Sequence, residues 1–322
     1  EVGVNITEEE IKATPSNKRH TNALYASADG NFKMQKKTKR DDPHDFSLNN
    51  GQAYFGPHTE YKRYLEATQA DVPVPEEEGI CDHLRVIRMQ KIAKFKNCEI
   101  NGVVAVICTR HGFYLPQGMV DLPRGEGYKL TDFAVSYVLA EAGKLSMIKF
   151  TYDIWCKYGI KLGVRFGENF PEMVGIIKKM SGAIGKLHLP NHKGTCQKRY
   201  SLWWQSFVGN LSGEIVETGW AEHNLTAGST REMNNGHRHE VIDATSDHWN
   251  FSKMIGMAQT LLRWYRDAKS QQRLRTSYWT HVDERMRSEH ATEVAEWEAM
   301  DVEPIVAKNG DVTSVFEPSF ES

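Results

Sequence analysis

The chain has 322 residues, a formal net charge of −2 at pH 7 and 40% hydrophobic residues. This composition supplies a sizeable core and argues against global disorder, and the near-neutral charge means that nucleic-acid binding would depend on local patches. Five scattered cysteines argue against a disulfide framework and for a reducing compartment, and no apolar run approaches the roughly 18 residues of a membrane span.

The first half of the chain contains strand and helix patterns in alternation. Residues 1–20 are polar and are interpreted as a leader or linker. A strand with Leu24, Tyr25 and Ala26 leads to Asp29, where the sequence DGN predicts a hairpin turn. The next segments predict a short helix (EYKRYLEATQA), a Pro-rich acidic linker, a β-branched strand (VVAVICTRHGFYLP) and a helix (LTDFAVSYVLAEAGK).

A second buried strand ends on an acid. Ile148, Phe150 and Tyr152 alternate with polar residues, which is the two-residue period of a strand, and Asp153 follows directly. Asp153 is either the N-cap of the next helix or a metal ligand in an active site.

The second half of the chain is mainly helical. A helix and a short strand at 184–189 are predicted within EMVGIIKKMSGAIGKLHLP, and helices in QKRYSLWWQSFVGN and EIVETGWAEHNLTAG. One or two long helices follow from 251 to about 300. This order predicts an α/β fold of the ribonuclease-H-like kind, with a mixed sheet flanked by helices. The core is assigned to 21–255, a helical extension to 256–300 and a tail to 301–322.

Carboxylates on separate elements indicate a candidate metal site. Enzymes that transfer phosphoryl groups with two metal ions need acids that converge from different elements, and Mg²⁺ prefers oxygen ligands. Asp29, Asp153 and one of Glu214 or Glu217 fit this requirement. Spacing alone also fits a turn Asp, a capping Asp and a solvated helix Glu.

Several motifs in a fixed order resemble those of the KDZ (Kyakuja–Dileera–Zisupton) transposases of fungi. The resemblance covers about residues 20–255 and is carried by ADGNF, CDH, CTRHG, DLPRGEGY, YDIWCK, LHLPNHKGTC, GEIVETGWAEHN, TREMNNGHRHEVID and HWNFSK. One departure is Gly127, where the motif DLPRGEGY would be expected to have Arg.

The resemblance implies a ribonuclease-H-like core with an acidic triad that cleaves DNA and transfers strands with Mg²⁺ or Mn²⁺. It places the first two acids at Asp29 and Asp153. Glu217 is favoured as the third because Trp220 follows it at the expected spacing. Glu214 lies on the same helical face and is either the true ligand or its neighbouring partner.

Two pairs of Cys and His predict a structural zinc site in an insert at about residues 75–112. Cys81 and His83 form one pair, and Cys108 and His111 the other. Thiolate and imidazole are preferred zinc ligands, and the resemblance includes these positions. The alternative is a buried cysteine at a strand end with surface histidines.

A second set contains His188, His192 and Cys196. These residues either bind metal or belong to a loop near the active site whose histidines contact phosphate or hold a carboxylate. Cys156, which follows the second predicted acidic strand, is interpreted as a core residue.

A basic stretch follows Asp29 directly, and it is either a DNA-backbone contact or a solvated hairpin. Its members are Lys33, Lys36, Lys37, Lys39 and Arg40. Trp203, Trp204 and Trp220 flank the acidic helix and either stack on an unpaired base or pack in the core.

The sequence thus predicts a nuclear DNA transposase catalytic domain that uses Mg²⁺ or Mn²⁺ and contains structural Zn²⁺. Its expected partners are transposon-end and target DNA, no membrane is involved, and a homo-oligomer is left open. The alternatives are a domesticated or inactive relative that binds DNA or chromatin without cutting it, and an unrelated metal-dependent nuclease.

Overall fold

The strand predicted around Asp29 is the central strand of a five-stranded mixed sheet. The computed structural model describes residues 6–40, 42–68, 97–123 and 127–316. Within these residues the strands are β1 (Ala23–Asn31), β2 (Lys36–Lys37), β3 (Cys98–Ile100), β4 (Gly102–Cys108), β5 (Tyr114–Leu122), β6 (Met147–Thr151), β7 (Met180–Ala183), β8 (Ile305–Val306) and β9 (Val312–Thr313).

Helices flank the sheet and fill the second half of the chain. They are α1 (Glu8–Ala13), α2 (His58–Thr68), α3 (Tyr128–Ala140), α4 (Trp155–Tyr158), α5 (Leu162–Asn169), α6 (Val174–Ile177), α7 (Gly194–Tyr200), α8 (Ile215–His223), α9 (Ala227–Thr230), α10 (Asn235–Glu289) and α11 (Ala291–Glu298). Residues up to Asn250 form one compact unit, and the residues from Phe251 onward form another.

The sheet has the strand order β5-β4-β1-β6-β7. Strand β4 is antiparallel to both of its neighbours, β5 and β1, whereas β6 and β7 run parallel to β1. The predicted α/β class is therefore confirmed as a five-stranded mixed sheet flanked by helices. The parallel pairing of β1 and β6 brings the carboxyl ends of these two strands to the same edge of the sheet.

The alternation along β1 separates a core face from a site face. Leu24, Ala26 and Ala28 are buried in the larger hydrophobic cluster, which includes most of the buried residues of α3. Ser27 and Asp29 point to the opposite face because successive strand residues alternate. On that face a second cluster joins the odd-numbered residues of β4 to α8 and α10.

Three local predictions were wrong in detail. Asp29 and Gly30 form no hairpin turn but lie within β1, opposite Ala105 and Val104 of β4. The strand expected at 184–189 lies earlier, at 180–183, and a 3-10 turn starts at Leu189, where Pro190 cannot donate to a strand ladder. The helix expected in QKRYSLWWQSFVGN ends at Tyr200.

The second unit contains most of α10 together with α11 and the small hairpin β8–β9. The long helix predicted after 251 is confirmed, but it begins earlier, at Asn235. Large apolar side chains, among them Leu261, Trp264 and Trp279, are exposed along it. None of the helices in the described ranges has the length and apolarity that a membrane span requires.

Candidate active site

Asp29 lies on the site face of β1 and is held by a tryptophan from α8. Its carboxylate Oδ2 accepts a hydrogen bond of 2.9 Å from the indole Nε1 of Trp220, whose side chain is buried. The fixed indole therefore orients one carboxylate oxygen, and the carboxylate also accepts a hydrogen bond from the backbone N–H of Gly30. The sequence predicted neither this bond nor its direction, because a Trp three residues after a Glu is equally compatible with ordinary core packing.

Asp153 lies beside Asp29 across the β1–β6 pair. Ser27 and Thr151 are registered partners, and their hydroxyls are hydrogen-bonded to each other. Asp29 and Asp153 each follow two residues later, so that two acids extend from the carboxyl ends of adjacent parallel strands, which are spaced about 4.8 Å apart.

Asp153 does not cap the helix that follows it. The N-cap of α4 is Ile154, and no side chain makes a capping hydrogen bond there. The Asp153 carboxylate instead accepts the N–H of Ile154 itself at 2.7 Å. Of the two interpretations of this residue, the capping one is therefore wrong.

The two aspartates sit in an environment that disfavours their charged forms. Burial first, and then the charge of Asp153, raise the pKa of Asp29 to about 7, and Glu217 adds to the rise. Burial also raises the pKa of Asp153, although the nearby His188 opposes this. Glu217 acts on both aspartates, so three carboxylates from β1, β6 and α8 converge on one region.

The start of α8 supplies the two glutamates. Gly213 has φ +85°, a left-handed conformation that favours glycine, and it turns the chain into Glu214 at the N-cap. Glu217 lies in the first helical turn, where the helix dipole stabilises a negative charge. The side chain of Glu217 is 48% exposed and that of Glu214 is 11% exposed, so only Glu217 is open to a ligand from solvent.

His188 links the two glutamates. Its Nε2 lies 2.8 Å from Glu217 Oε1 and 3.4 Å from Glu214 Oε2. Burial opposes protonation of this imidazole, but the bond to Glu217 and the charges of Glu214 and Asp153 outweigh it and raise the pKa of His188. His188 is thus a histidine that holds carboxylates, which was one of the two alternatives for this loop.

Glu214 is a fixed part of the wall beside His188. Its Oε1 accepts the N–H of Leu187 at 2.8 Å, and a Cβ on Gly185 would lie only 2.2 Å from the same oxygen. The absence of a side chain at Gly185 therefore lets Glu214 pack against the backbone. Burial raises the pKa of Glu214.

A separate group of possible metal ligands lies behind Asp153. Cys156, His192 and Cys196 are all buried, and one ligand atom from each lies within 4.8 Å of the others, so the group could hold a metal ion. It includes Cys156, which was interpreted as core, and not His188, which belongs to the carboxylate site. The sequence feature that could have indicated this group is the position of Cys156 three residues after Asp153.

The zinc site predicted in the insert is only partly within the described residues. Cys108 and His111 are in contact, with Sγ and Nδ1 3.4 Å apart. Cys81 and His83 lie outside the described residues, so the four-ligand set stays a prediction.

The basic stretch after β1 contributes fewer available cations than expected. Lys36 is a correction to the predicted DNA contacts, because its side chain is 4% exposed and pairs with Glu99 at 2.8 Å. Lys37 and Lys39 are exposed but contact the side chain and the backbone carbonyl of Glu232, respectively.

The other two basic residues of the stretch, Lys33 and Arg40, are exposed.

The tryptophans near the acidic helix differ in burial. Trp220 is buried and binds Asp29, whereas Trp203 is 67% exposed and Lys186 lies 3.9 Å above its ring.

A family model described as KDZ, Kyakuja-Dileera-Zisupton transposase, matches residues 22–250, which is well over half of the chain. The match includes Asp29, Asp153, both glutamates and the His188 loop. No curated protein and no solved structure matches the chain.

Proposed function

The chain belongs to the Kyakuja-Dileera-Zisupton transposase family, and on that premise we propose that it is a transposase catalytic domain that cleaves DNA and transfers strands with Mg²⁺ or Mn²⁺. The metal ligands in this proposal are Asp29, Asp153 and Glu217. The observation that carries it is that the charges of Asp153 and Glu217 raise the pKa of Asp29, and the charge of Glu217 also raises that of Asp153, so that side chains from β1, from just after β6 and from the first turn of α8 face one another.

The donor set suits a hard divalent cation. All three groups offer oxygen atoms, which Mg²⁺ prefers, and three carboxylates leave coordination positions for water and DNA phosphate. Burial first, and then the charges of Asp153 and Glu217, raise the pKa of Asp29. A cation would remove this repulsion, and so the site is better suited to a metal than to its metal-free state.

The sheet supports a ribonuclease-H-like assignment for the core. Its order β5-β4-β1-β6-β7, with an antiparallel part and a parallel part, is consistent with the mixed sheet flanked by helices that this assignment predicts. The acids lie at the carboxyl ends of β1 and β6, the two central parallel strands, and on a helix after β7. These are the positions that the resemblance to the family assigned to the triad.

Each side chain has a distinct role in the proposed reaction. Bound divalent cations supply Lewis-acid stabilisation of the attacking and leaving oxygens at the DNA phosphate. Trp220 fixes the orientation of Asp29, and the strand register fixes the separation of Asp29 and Asp153. His188 contacts Glu217 directly and Glu214 contacts His188, so that Glu214 positions Glu217 through the imidazole.

We assign the third acid to Glu217 and not to Glu214. Glu217 acts electrostatically on both aspartates, whereas the leading influences on Asp29 and Asp153 do not include Glu214. Glu214 is committed to the Leu187 backbone and to His188. In this assignment Glu214 is a positioning residue.

DNA is the proposed substrate, and the nucleus is the proposed location. Lys33 and Arg40 are the exposed members of the basic stretch and are proposed to contact the DNA backbone, with Lys37 and Lys39 available once Glu232 releases them. Cys81, His83, Cys108 and His111 remain the proposed ligands of a zinc ion in the insert. A homo-oligomer remains compatible with the proposal.

The test is metal-dependent nicking and joining of supercoiled plasmid DNA by the purified chain. We expect nicked and linear products with Mg²⁺ or Mn²⁺ and none with chelator. Asp29→Asn and Asp153→Asn proteins, purified in parallel, should give background levels and so exclude a contaminating nuclease. DNA binding without metal-dependent products, from protein that binds the cation, would overturn the proposal and favour a domesticated DNA-binding protein.

A further inference from the structure

Three metal-binding side chains meet in the interior directly behind the carboxylate site. Cys156 lies on α4, His192 follows the 3-10 turn after β7, and Cys196 lies on α7. All three are buried, with exposures of 1%, 3% and 5%. Their ligand atoms lie within 4.8 Å of one another, and Cys156 Sγ is 3.5 Å from His192 Nδ1.

We propose that Cys156, His192 and Cys196 bind a structural zinc ion. In tetrahedral zinc sites the Zn–S distance is about 2.3 Å and the Zn–N distance is about 2.0–2.1 Å, so that a sulfur and a nitrogen ligand lie about 3.6 Å apart. The separation of Cys156 Sγ and His192 Nδ1 matches this edge of the tetrahedron. The ligand atom of Cys196 lies within 4.8 Å of the ligand atoms of Cys156 and His192.

The charge of such a site suits its burial. Two thiolates and a neutral imidazole around Zn²⁺ give a net charge of zero, whereas two thiolates without the metal would place uncompensated charge in the core. Three protein ligands leave one tetrahedral position for a fourth ligand. Zinc binding releases the two thiol protons, and the affinity therefore increases with pH.

The position of the ion gives it a structural role at the carboxylate site. Cys156 follows Asp153 by three residues, and His192 follows His188 by four. The zinc ion therefore joins the segment after β6 to the loop that holds Glu214 and Glu217. Zinc binding itself does not depend on the proposed transposase function, but the consequence for the carboxylates does.

The test is the zinc content of the full chain, purified without chelator, and of three cysteine variants. Cys108→Ser breaks the other candidate zinc set, and Cys98→Ser is a control because Cys98 belongs to neither set. We expect Cys98→Ser to match the wild type, Cys108→Ser to keep one zinc ion per chain, and Cys196→Ser to lose one relative to the wild type. Wild-type zinc content in Cys196→Ser would overturn the proposal.

Cobalt substitution keeps the test valid if Cys196→Ser does not fold. The Cys108→Ser protein, loaded with Co²⁺, should show thiolate-to-cobalt absorption and the strong visible bands of a tetrahedral site. If that protein holds neither zinc nor such a cobalt spectrum, Cys156 and His192 are only a hydrogen-bonded pair and the proposal fails.

Hydrogen exchange measures the structural role separately from activity. Removal of zinc from the Cys108→Ser protein should accelerate backbone hydrogen exchange in residues 186–196. The exchange rate in helix α2, which is distant in sequence, should not change. Loss of the ion without faster exchange in that loop would overturn the anchoring role. Zinc binding together with absent DNA cleavage would reject the transposase proposal and leave this one intact.

Discussion

Asp29 and Asp153 each follow the registered pair Ser27 and Thr151 by two residues, Asp29 within β1 and Asp153 in the turn directly after β6. This register forces two carboxylates together at one edge of the sheet, where burial and mutual repulsion raise the pKa of Asp29 to about 7. The fold therefore maintains an arrangement that is unfavourable without a cation.

The first prediction concerns the pH dependence of stability. The pKa of Asp29 is about 7 in the folded chain and about 4 in the unfolded chain. The folded state thus binds the proton more tightly, and the contribution of Asp29 to stability is present below about pH 4 and is lost as the pH rises to about 7. Without divalent metal, Asp29→Asn should have a Tm close to the wild type at or below about pH 4, where Asp29 is protonated in both states.

At pH 8 the same variant should be more stable than the wild type by about 1–3 kcal/mol, because Asn removes the repulsion with Asp153 and Glu217. Thermal unfolding from pH 4 to pH 8 in the presence of chelator measures this difference. The Trp220 bond is kept, since the Asn side-chain carbonyl can still accept it. A difference in Tm that does not change with pH would contradict the shifted pKa.

The second prediction concerns metal ions. Mg²⁺ or Mn²⁺ should raise the Tm of the wild type, more strongly at pH 8 than at pH 5, because protonated Asp29 competes with the cation. The Asp29→Asn and Asp153→Asn proteins should lose most of this increase. The Tm in the presence of Ca²⁺, which is larger and also prefers oxygen ligands, measures cation binding separately from catalysis. An equal metal-induced increase in all three proteins would place the cation elsewhere.

The sequence predicted the strands that carry or precede the two aspartates but not what surrounds these residues. Alternation around Ile148 and Phe150 indicated the strand that ends two residues before Asp153, and its parallel pairing with β1 brings Asp153 near Asp29. The sequence did not determine the partner of Asp29, because the Trp220 bond depends on how α8 packs on the sheet. Helical spacing also could not separate Glu214 from Glu217, because tertiary packing distinguishes them: Glu214 packs against Gly185 and bonds the Leu187 N–H, whereas Glu217 is exposed.

Two of the wrong predictions, the DGN turn and the DNA contact at Lys36, have a common physical origin. The sequence DGN has strong turn chemistry, but pairing of β1 with β4 overrides this local preference at Asp29 and Gly30. Similarly, Lys36 belongs to a basic stretch, yet the pairing of β2 with β3 buries it beside Glu99. Contacts between residues far apart in the chain decided both cases, and a local pattern does not contain them.

The third prediction separates the two glutamates. Glu217→Gln should abolish metal-dependent DNA cleavage with little change in the Tm, because its side chain is 48% exposed. Glu214→Gln should lower the Tm and reduce activity only partly, because it weakens the bond to Leu187 and the contact with His188 but keeps Glu217. Metal affinity from calorimetry should fall for Glu217→Gln alone. The reverse pattern would make Glu214 the third acid.

The fourth prediction concerns Trp220. Trp220→Phe removes the indole N–H that favours ionised Asp29, so the pKa of Asp29 should rise further and metal affinity at pH 7 should fall. We also expect a loss of about 1–3 kcal/mol in the free energy of unfolding, since a buried bond to a carboxylate is lost. The matched control is Trp204→Phe, because the Trp204 indole donates to the Lys198 carbonyl instead. Equal losses of metal affinity in both variants would contradict an orienting role for Trp220.

The last prediction concerns the basic stretch after β1. The logarithm of DNA affinity should fall with the logarithm of salt concentration, with a slope of about −0.9 for each phosphate contacted. Lys33→Ala and Arg40→Ala, at the exposed positions, should each reduce the magnitude of that slope by about 1 and leave the Tm unchanged.

Lys36→Ala is the internal control for this prediction. It should lower the Tm because it leaves Glu99 without its buried partner, and it should leave the salt dependence unaltered. Glu232→Gln should raise DNA affinity at low salt, since it frees Lys37 from an ion pair at the edge of the same stretch. Fluorescence anisotropy with one labelled duplex at several salt concentrations measures all four variants. If Lys36→Ala changed the slope and Lys33→Ala did not, the DNA would contact a surface other than the one formed by the exposed cations.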